Sequence, residues 1–60
     1  MSTVEKAYGG TVHRYPSGDL AGPGQHVAPQ CDPGARHDRY VVANSFPYGR
    51  LCPDCFPKGR

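Results

Sequence analysis

The sequence predicts a small β-rich domain with little helix, which needs more than an apolar core to hold it together. The chain has 60 residues, and a domain of this size buries only about 60% of the surface that its unfolded form exposes. Nine residues are Val, Leu or Phe, and none is Ile or Trp. That low fraction is typical of chains that do not fold by burial alone. No segment repeats its apolar residues with the 3.6-residue period of a helix.

Local residue chemistry predicts where the strands lie. Residues 11–15 are β-branched and aromatic, which favours a short strand, and Pro16 to Asp19 have the composition of a turn. Residues 40–44, Tyr-Val-Val-Ala-Asn, make the strongest predicted strand, which forms a hairpin leading into Cys52. One helical turn is expected at residues 52–56.

The two ends of the chain are expected to lie outside the folded part. Residues 1–10 are small and polar, which predicts a flexible N-terminal tail. Residues 58–60 are predicted to form a short basic C-terminal tail. A single domain over residues 11–57 remains between them.

Three cysteines and a histidine have the spacing of a metal site. Cys52 and Cys55 are two residues apart, so a tight turn can direct both sulfurs to one ion. His26 and Cys31 form a second pair with four residues between them. Two such pairs on either side of a strand are the plan of a zinc ribbon. We therefore predict a structural Zn²⁺ bound by His26, Cys31, Cys52 and Cys55, in a zinc-ribbon-like fold of β-hairpins.

Zinc also meets the need for extra stability. Structural zinc contributes an apparent 10–16 kcal/mol or so in zinc-finger peptides. Disulfides are the poorer alternative because three cysteines are an odd number.

Other histidines compete for the fourth ligand position. His13 is the main alternative, although it would bind from a strand rather than from a turn. His37 is a further candidate, in a charged loop between Arg36 and Asp38. A carboxylate or a water in that position also stays open.

The cysteine pair has two alternative interpretations. A redox-active Cys-x-x-Cys needs a βαβ scaffold, which the five residues after Cys55 cannot supply. A catalytic metal site needs an open coordination position and a general base, and no Glu lies beside the cysteines. We therefore expect a protein that is not an enzyme.

Charge and hydropathy limit the partners. The formal net charge is +2, and it falls to about +1 when three thiolates and one Zn²⁺ are counted. No secretory signal and no apolar stretch of about 18 residues is visible. We expect a cytoplasmic protein with no membrane or small-molecule partner.

Three stretches resemble small zinc-ribbon and zinc-knuckle proteins of actinobacteria and their phages. They are Gln25 to Cys31, Asn44 to Arg50, and Cys52-Pro53-Asp54-Cys55. Similar phage proteins often have a second cysteine where this chain has Pro33 and a histidine where it has Ala43. The resemblance covers about half the chain. It implies a small accessory protein, either cellular or phage-encoded, located in the host cytoplasm or in a virion, and it favours His26 over His13.

The leading functional hypothesis is a non-enzymatic module that docks on a larger protein or macromolecular assembly. It rests on an excess of aromatic side chains beside arginine, which are good interface anchors. The candidate partner-binding residues are Tyr40, Phe46, Tyr48, Arg50 and Phe56. The alternative is a nucleic-acid-binding zinc ribbon that uses basic side chains and stacking tyrosines. Its basic candidates are Arg36, His37, Arg39, Arg50, Lys58 and Arg60.

Overall fold

A computed structural model describes residues 2–59, which form short strands and two short helices around a three-stranded sheet. The elements in chain order are β1 (Thr3–Tyr8), β2 (Thr11–Pro16), α1 (Ser17–Ala21), β3 (His26–Val27), β4 (His37–Asp38), α2 (Arg39–Ala43) and β5 (Arg50–Leu51). The prediction of a small β-rich fold with little helix is confirmed. Neither helix in this part of the chain is long or apolar enough to cross a membrane.

The N-terminal residues form a strand instead of the flexible tail that we expected. β1 pairs antiparallel with β2 along its whole length, from Thr3 opposite Pro16 to Tyr8 opposite Thr11. Gly9 and Gly10 connect the strands with φ angles of 63° and 82°. Positive φ at both central residues is what a two-residue type I′ hairpin requires, and glycine adopts it without steric cost. Met1, also assigned to the tail, lies outside the described residues.

The third strand of the sheet comes from the end of the chain. β5 adds to β2 in parallel, with Thr11 opposite Arg50 and Val12 opposite Leu51. Gly49 precedes it with a φ of 131°, and a Cβ there would lie 2.6 Å from the carbonyl oxygen of Gly10. This close backbone approach therefore requires glycine.

Residues 40–44 are not the predicted strand; most of them belong to helix α2. The Asp38 carboxylate accepts hydrogen bonds from the amides of Tyr40 (2.9 Å) and Val41 (3.2 Å). Such a cap satisfies N–H groups that the first turn of a helix leaves without partners. At the C-terminal end of α2, the Asn44 amide donates a hydrogen bond to the Tyr40 carbonyl oxygen at 3.1 Å. The hairpin expected here is absent from the described structure, and the three-stranded sheet contains the β1–β2 hairpin instead.

The turn predicted at Pro16 to Asp19 is also replaced in part by a helix. Pro16 ends β2 and serves as the N-cap of α1, which begins at Ser17. The chain therefore leaves the sheet where the turn chemistry indicated, but through a single helical turn.

Small apolar clusters cover both faces of β2. On one face, Val12 packs with Cys52, Cys55 and Phe56. On the other, Tyr15 packs with Val27 of β3 and Val42 of α2. Val12 and Tyr15 are fully buried and lie on opposite faces because side chains alternate along a strand. β2 is thus the central element of the fold.

The C-terminal residues fold back toward the turn between Cys52 and Cys55. The Phe56 amide donates to the Cys52 carbonyl oxygen at 2.8 Å, and the Gly59 amide donates to that of Phe56 at 3.0 Å. Lys58, from the predicted C-terminal tail, lies in this turn. Arg60 lies outside the described residues.

We predict that Gly49→Ala lowers the free energy of unfolding by about 2 kcal/mol or more, because the alanine has both a strained φ and a backbone clash. Thermal unfolding followed by circular dichroism measures the change. Gly18→Ala is the matched control, because Gly18 lies in α1 with nothing within 4 Å of an added Cβ. Equal midpoints for the two variants would contradict the proposed close approach.

Candidate metal centre

His13, Cys31, Cys52 and Cys55 form one cluster at the edge of the sheet. Their donor atoms all lie within 4.8 Å of one another. The Sγ atoms of Cys31 and Cys52 are 3.6 Å apart. His13 Nδ1 lies 3.5 Å from Cys31 Sγ and 3.9 Å from Cys55 Sγ. The four side chains are therefore close enough to hold a metal ion.

The backbone of β2 holds the candidate ligand segments next to His13 through the residues before and after it. The Cys52 amide donates to the Val12 carbonyl oxygen at 2.9 Å, which places the Cys52–Cys55 turn on one side. The Gln30 amide donates to the Arg14 carbonyl oxygen at 2.7 Å and sets the position of Cys31, the next residue. Two strong backbone hydrogen bonds thus flank the histidine and fix the sulfurs beside its ring.

The turn between Cys52 and Cys55 favours the thiolate form of Cys52. Burial by itself would raise the pKa of this thiol. The amide N–H groups of Cys55 and Asp54 and the thiols of Cys31 and Cys55 outweigh burial and lower the pKa below its ordinary value. Hydrogen bonds to the charged form of a group stabilise that form. This turn therefore makes the Cys52 thiol easier to deprotonate, as metal binding requires.

Deprotonation of the other cysteines in the cluster depends on the charge of a bound cation. Burial, followed by the hydrogen bonds and charges of Cys55 and Cys52, raises the pKa of Cys31 to about 12. Three neighbouring thiolates repel each other unless a cation compensates, and a bound metal deprotonates such thiols. Burial lowers the pKa of His13 and keeps its imidazole neutral, as a metal ligand must be.

His26, the predicted fourth ligand, is not part of the cluster; the alternative, His13, takes its place. His26 is exposed in β3, opposite Asp38 of β4. The short distance between His26 and Cys31 in the sequence misled the prediction, because the chain leaves β3 before it reaches the cysteine. Cys31, Cys52 and Cys55 lie together as predicted.

His37 is also absent from the ligand set, although it lies close by. Its Nδ1 is 2.7 Å from the Tyr15 hydroxyl, and its ring stacks on Tyr8 at 4.2 Å between centroids. The ring centroid of His13 lies 5.4 Å from that of His37 and 6.0 Å from that of Tyr15. Tyr15 and His37 therefore lie beside the ring of His13, and Tyr8 stacks on His37; these three side chains form an aromatic wall next to the site.

Sequence reasoning missed this aromatic wall. One signal was available, because His13 and Tyr15 are two residues apart on β2 and so share a face. The contribution of Tyr8 could not be found, because β1 was interpreted as a tail. Burial, followed by the charges of the nearby cysteines and Tyr8, raises the pKa of Tyr15 far above its usual range, so its phenol stays protonated.

The predicted partner-binding residues divide into an exposed group and a buried one. Tyr40, Phe46 and Tyr48 are 76%, 72% and 79% exposed, and Arg50 is exposed as well. Phe56 is only 4% exposed, and the Arg14 guanidinium lies over its ring at 4.6 Å. Phe56 is therefore a core residue and cannot present its ring to a partner, which corrects that part of the prediction.

Comparison of this chain with protein-family models, with curated proteins and with solved structures found no match. The resemblance to zinc-ribbon proteins of actinobacteria and phages therefore stays a prediction. The metal centre rests on the geometry of the chain itself.

We predict that His13→Ala weakens metal binding by more than about a hundredfold, because loss of groups that only support a ligand already costs 10–100-fold. His26→Ala should bind as the unchanged protein does. Competition with a chromophoric chelator measures both affinities, and the Co²⁺ absorption bands report the loss of the nitrogen ligand. A large loss in His26→Ala with none in His13→Ala would contradict this ligand set.

Proposed function

We propose that this protein is a non-enzymatic zinc-binding module that docks on a larger protein or macromolecular assembly. The observation that supports the zinc site is the spacing of the four donors. A tetrahedron with zinc–sulfur bonds of about 2.3 Å and zinc–nitrogen bonds of about 2.0 Å has edges of roughly 3.5–3.8 Å. Three of the six donor separations, at 3.5, 3.6 and 3.9 Å, are close to those edges, and all six are within 4.8 Å.

The chemistry of the donors favours zinc. Three thiolates and one imidazole are a ligand set typical of structural zinc, and hard ions such as Mg²⁺ and Ca²⁺ prefer oxygen. Four protein ligands complete the tetrahedron, so no position remains for a water or a substrate. A site of this kind supports a structural role and a non-enzymatic protein.

The exposed aromatic side chains support the docking role. Phe46 and Tyr48 lie in the loop between α2 and β5, with ring centroids 6.1 Å apart. The loop leads through Arg50 directly to Cys52. Large aromatic side chains with an arginine beside them are enriched in protein interfaces.

Nucleic-acid binding has less support than protein binding. Arg39 donates to the Leu20 and Gly24 carbonyl oxygens, and His37 is held between Tyr8 and Tyr15. These two candidates are therefore occupied inside the fold. Among the candidates within residues 2–59, Arg36, Arg50 and Lys58 are exposed, and three cations are few for the electrostatic binding of phosphates.

Removal of zinc should unfold the protein. We expect a strong chelator to abolish the near-ultraviolet circular dichroism, because the apolar clusters are too small to hold the fold without the metal. Excess Zn²⁺ should restore the signal, and elemental analysis should give one zinc per chain. A spectrum that survives complete removal of zinc would exclude the structural role.

Tyr48→Ser should weaken the capture of the native partner by roughly tenfold or more while zinc content and thermal stability stay unchanged. The reason is that an exposed aromatic anchor contributes to binding but not to the core. Tyr48→Phe is the matched control, because it keeps the ring. Quantitative co-purification from the native source is the measurement, and equal capture by both variants would contradict the docking role.

A further inference from the structure

The large hydrophobic side chains exposed on residues 2–59 are concentrated in one segment. The exposed ones all lie within residues 40–48: they are Tyr40, Val41, Phe46 and Tyr48. Scattered apolar residues are normal on a surface, whereas a concentration of them indicates an interaction site.

The backbone under Phe46 is held in place from several directions. The Ser45 hydroxyl donates to the Val42 carbonyl oxygen (2.8 Å) and accepts from the Ala7 amide (3.1 Å). The Lys6 ammonium donates to the Ala43 and Ser45 carbonyl oxygens at 3.4 and 3.2 Å. Beyond Tyr48, the Gly49 backbone lies against Gly10. A preorganised loop loses little conformational entropy when a partner binds.

The charge around these rings is positive. From residue 39 to residue 53 the sequence contains no Asp or Glu. Arg50 follows Tyr48 by two residues, and Lys6 lies beside Ser45. Glu5 lies on the opposite face of β1 from Lys6, across from Arg14. The Asp38 carboxylate accepts hydrogen bonds from the amides of α2.

We infer that the loop from Phe46 to Arg50 docks an acidic peptide segment that has apolar side chains. Its apolar groups would contact the rings of Phe46 and Tyr48, and its carboxylates would face the exposed Arg50, with the positive charge of Lys6 nearby on the carbonyl oxygens of Ala43 and Ser45. This inference rests on the proposed docking function and adds the chemistry of the partner segment. Complementary charge around an apolar centre determines which partner binds.

The same features favour a peptide over nucleic acid. The ring planes of Phe46 and Tyr48 meet at 34°, so they do not form the parallel platform on which successive bases stack. The two side chains are 72% and 79% exposed, so aliphatic and aromatic side chains of a peptide can reach them. Two cations suit a short acidic segment better than a phosphate backbone, whose binding needs many basic contacts.

Selection from a random library of displayed 12-residue peptides on the zinc-loaded full chain tests the inference. Peptides rich in Asp or Glu together with Leu, Phe or Tyr should be enriched. The double variant Phe46→Ser/Tyr48→Ser should bind them about thirtyfold more weakly or not at all. Arg50→Glu should weaken them by roughly fivefold, and Arg36→Glu, which places the same charge change at another exposed arginine, should change little.

The outcomes separate this inference from the docking function on which it rests. Enriched peptides that need Phe46 and Tyr48 but contain no excess of acidic residues would overturn the acidic segment and leave the docking function intact. If no peptide binds through the rings, both are overturned. Stronger binding of a mixed-sequence 12-nucleotide DNA strand, weakening steeply between low and high salt, would replace the peptide with nucleic acid.

Discussion

The position of His13 between two backbone hydrogen bonds of β2 is the constraint on which the structure depends. The carbonyl oxygens before and after it, those of Val12 and Arg14, accept from Cys52 and Gln30. Each bond delivers a segment that contains cysteine, and both are short. Candidate metal ligands from three distant parts of the chain therefore meet through backbone geometry, which does not depend on the side chains of the connecting loops.

A metal bound at this cluster would explain how so few apolar residues can support a fold. The apolar clusters lie on opposite faces of β2, and neither is large enough to stabilise the chain by itself. The cluster on the Val12 face includes Cys52 and Cys55, so a metal that they shared with His13 would cross-link the turn at Cys52 to the sheet. Because ligand segments far apart in sequence converge, metal binding would restrict much of the unfolded chain.

The sequence predicted the chemistry of the site better than the path of the chain. The spacing of Cys52 and Cys55 indicates a shared ion whatever fold surrounds it, and Cys31 had few other roles. His13 could not be chosen over His26, because only the pairing of β2 with distant segments brings it to the sulfurs. Residues 40–44 have strand composition, but the local cap from Asp38 overrides that weak preference. β1 was missed because residues 1–10, small and polar, were interpreted as a flexible tail.

The continuity of the chain couples the proposed docking loop to the proposed metal centre. Tyr48 is separated from the ligand Cys52 by three residues, and two of them, Arg50 and Leu51, form β5 on the central strand. Zinc that holds Cys52 against β2 would therefore also hold the loop against the Gly9-Gly10 turn. Without the metal, the rings would lose their fixed spacing, and a partner would have to order the loop as it binds, which costs affinity. The exposed aromatic side chains thus lie next to the strand that would join the proposed metal centre to the sheet.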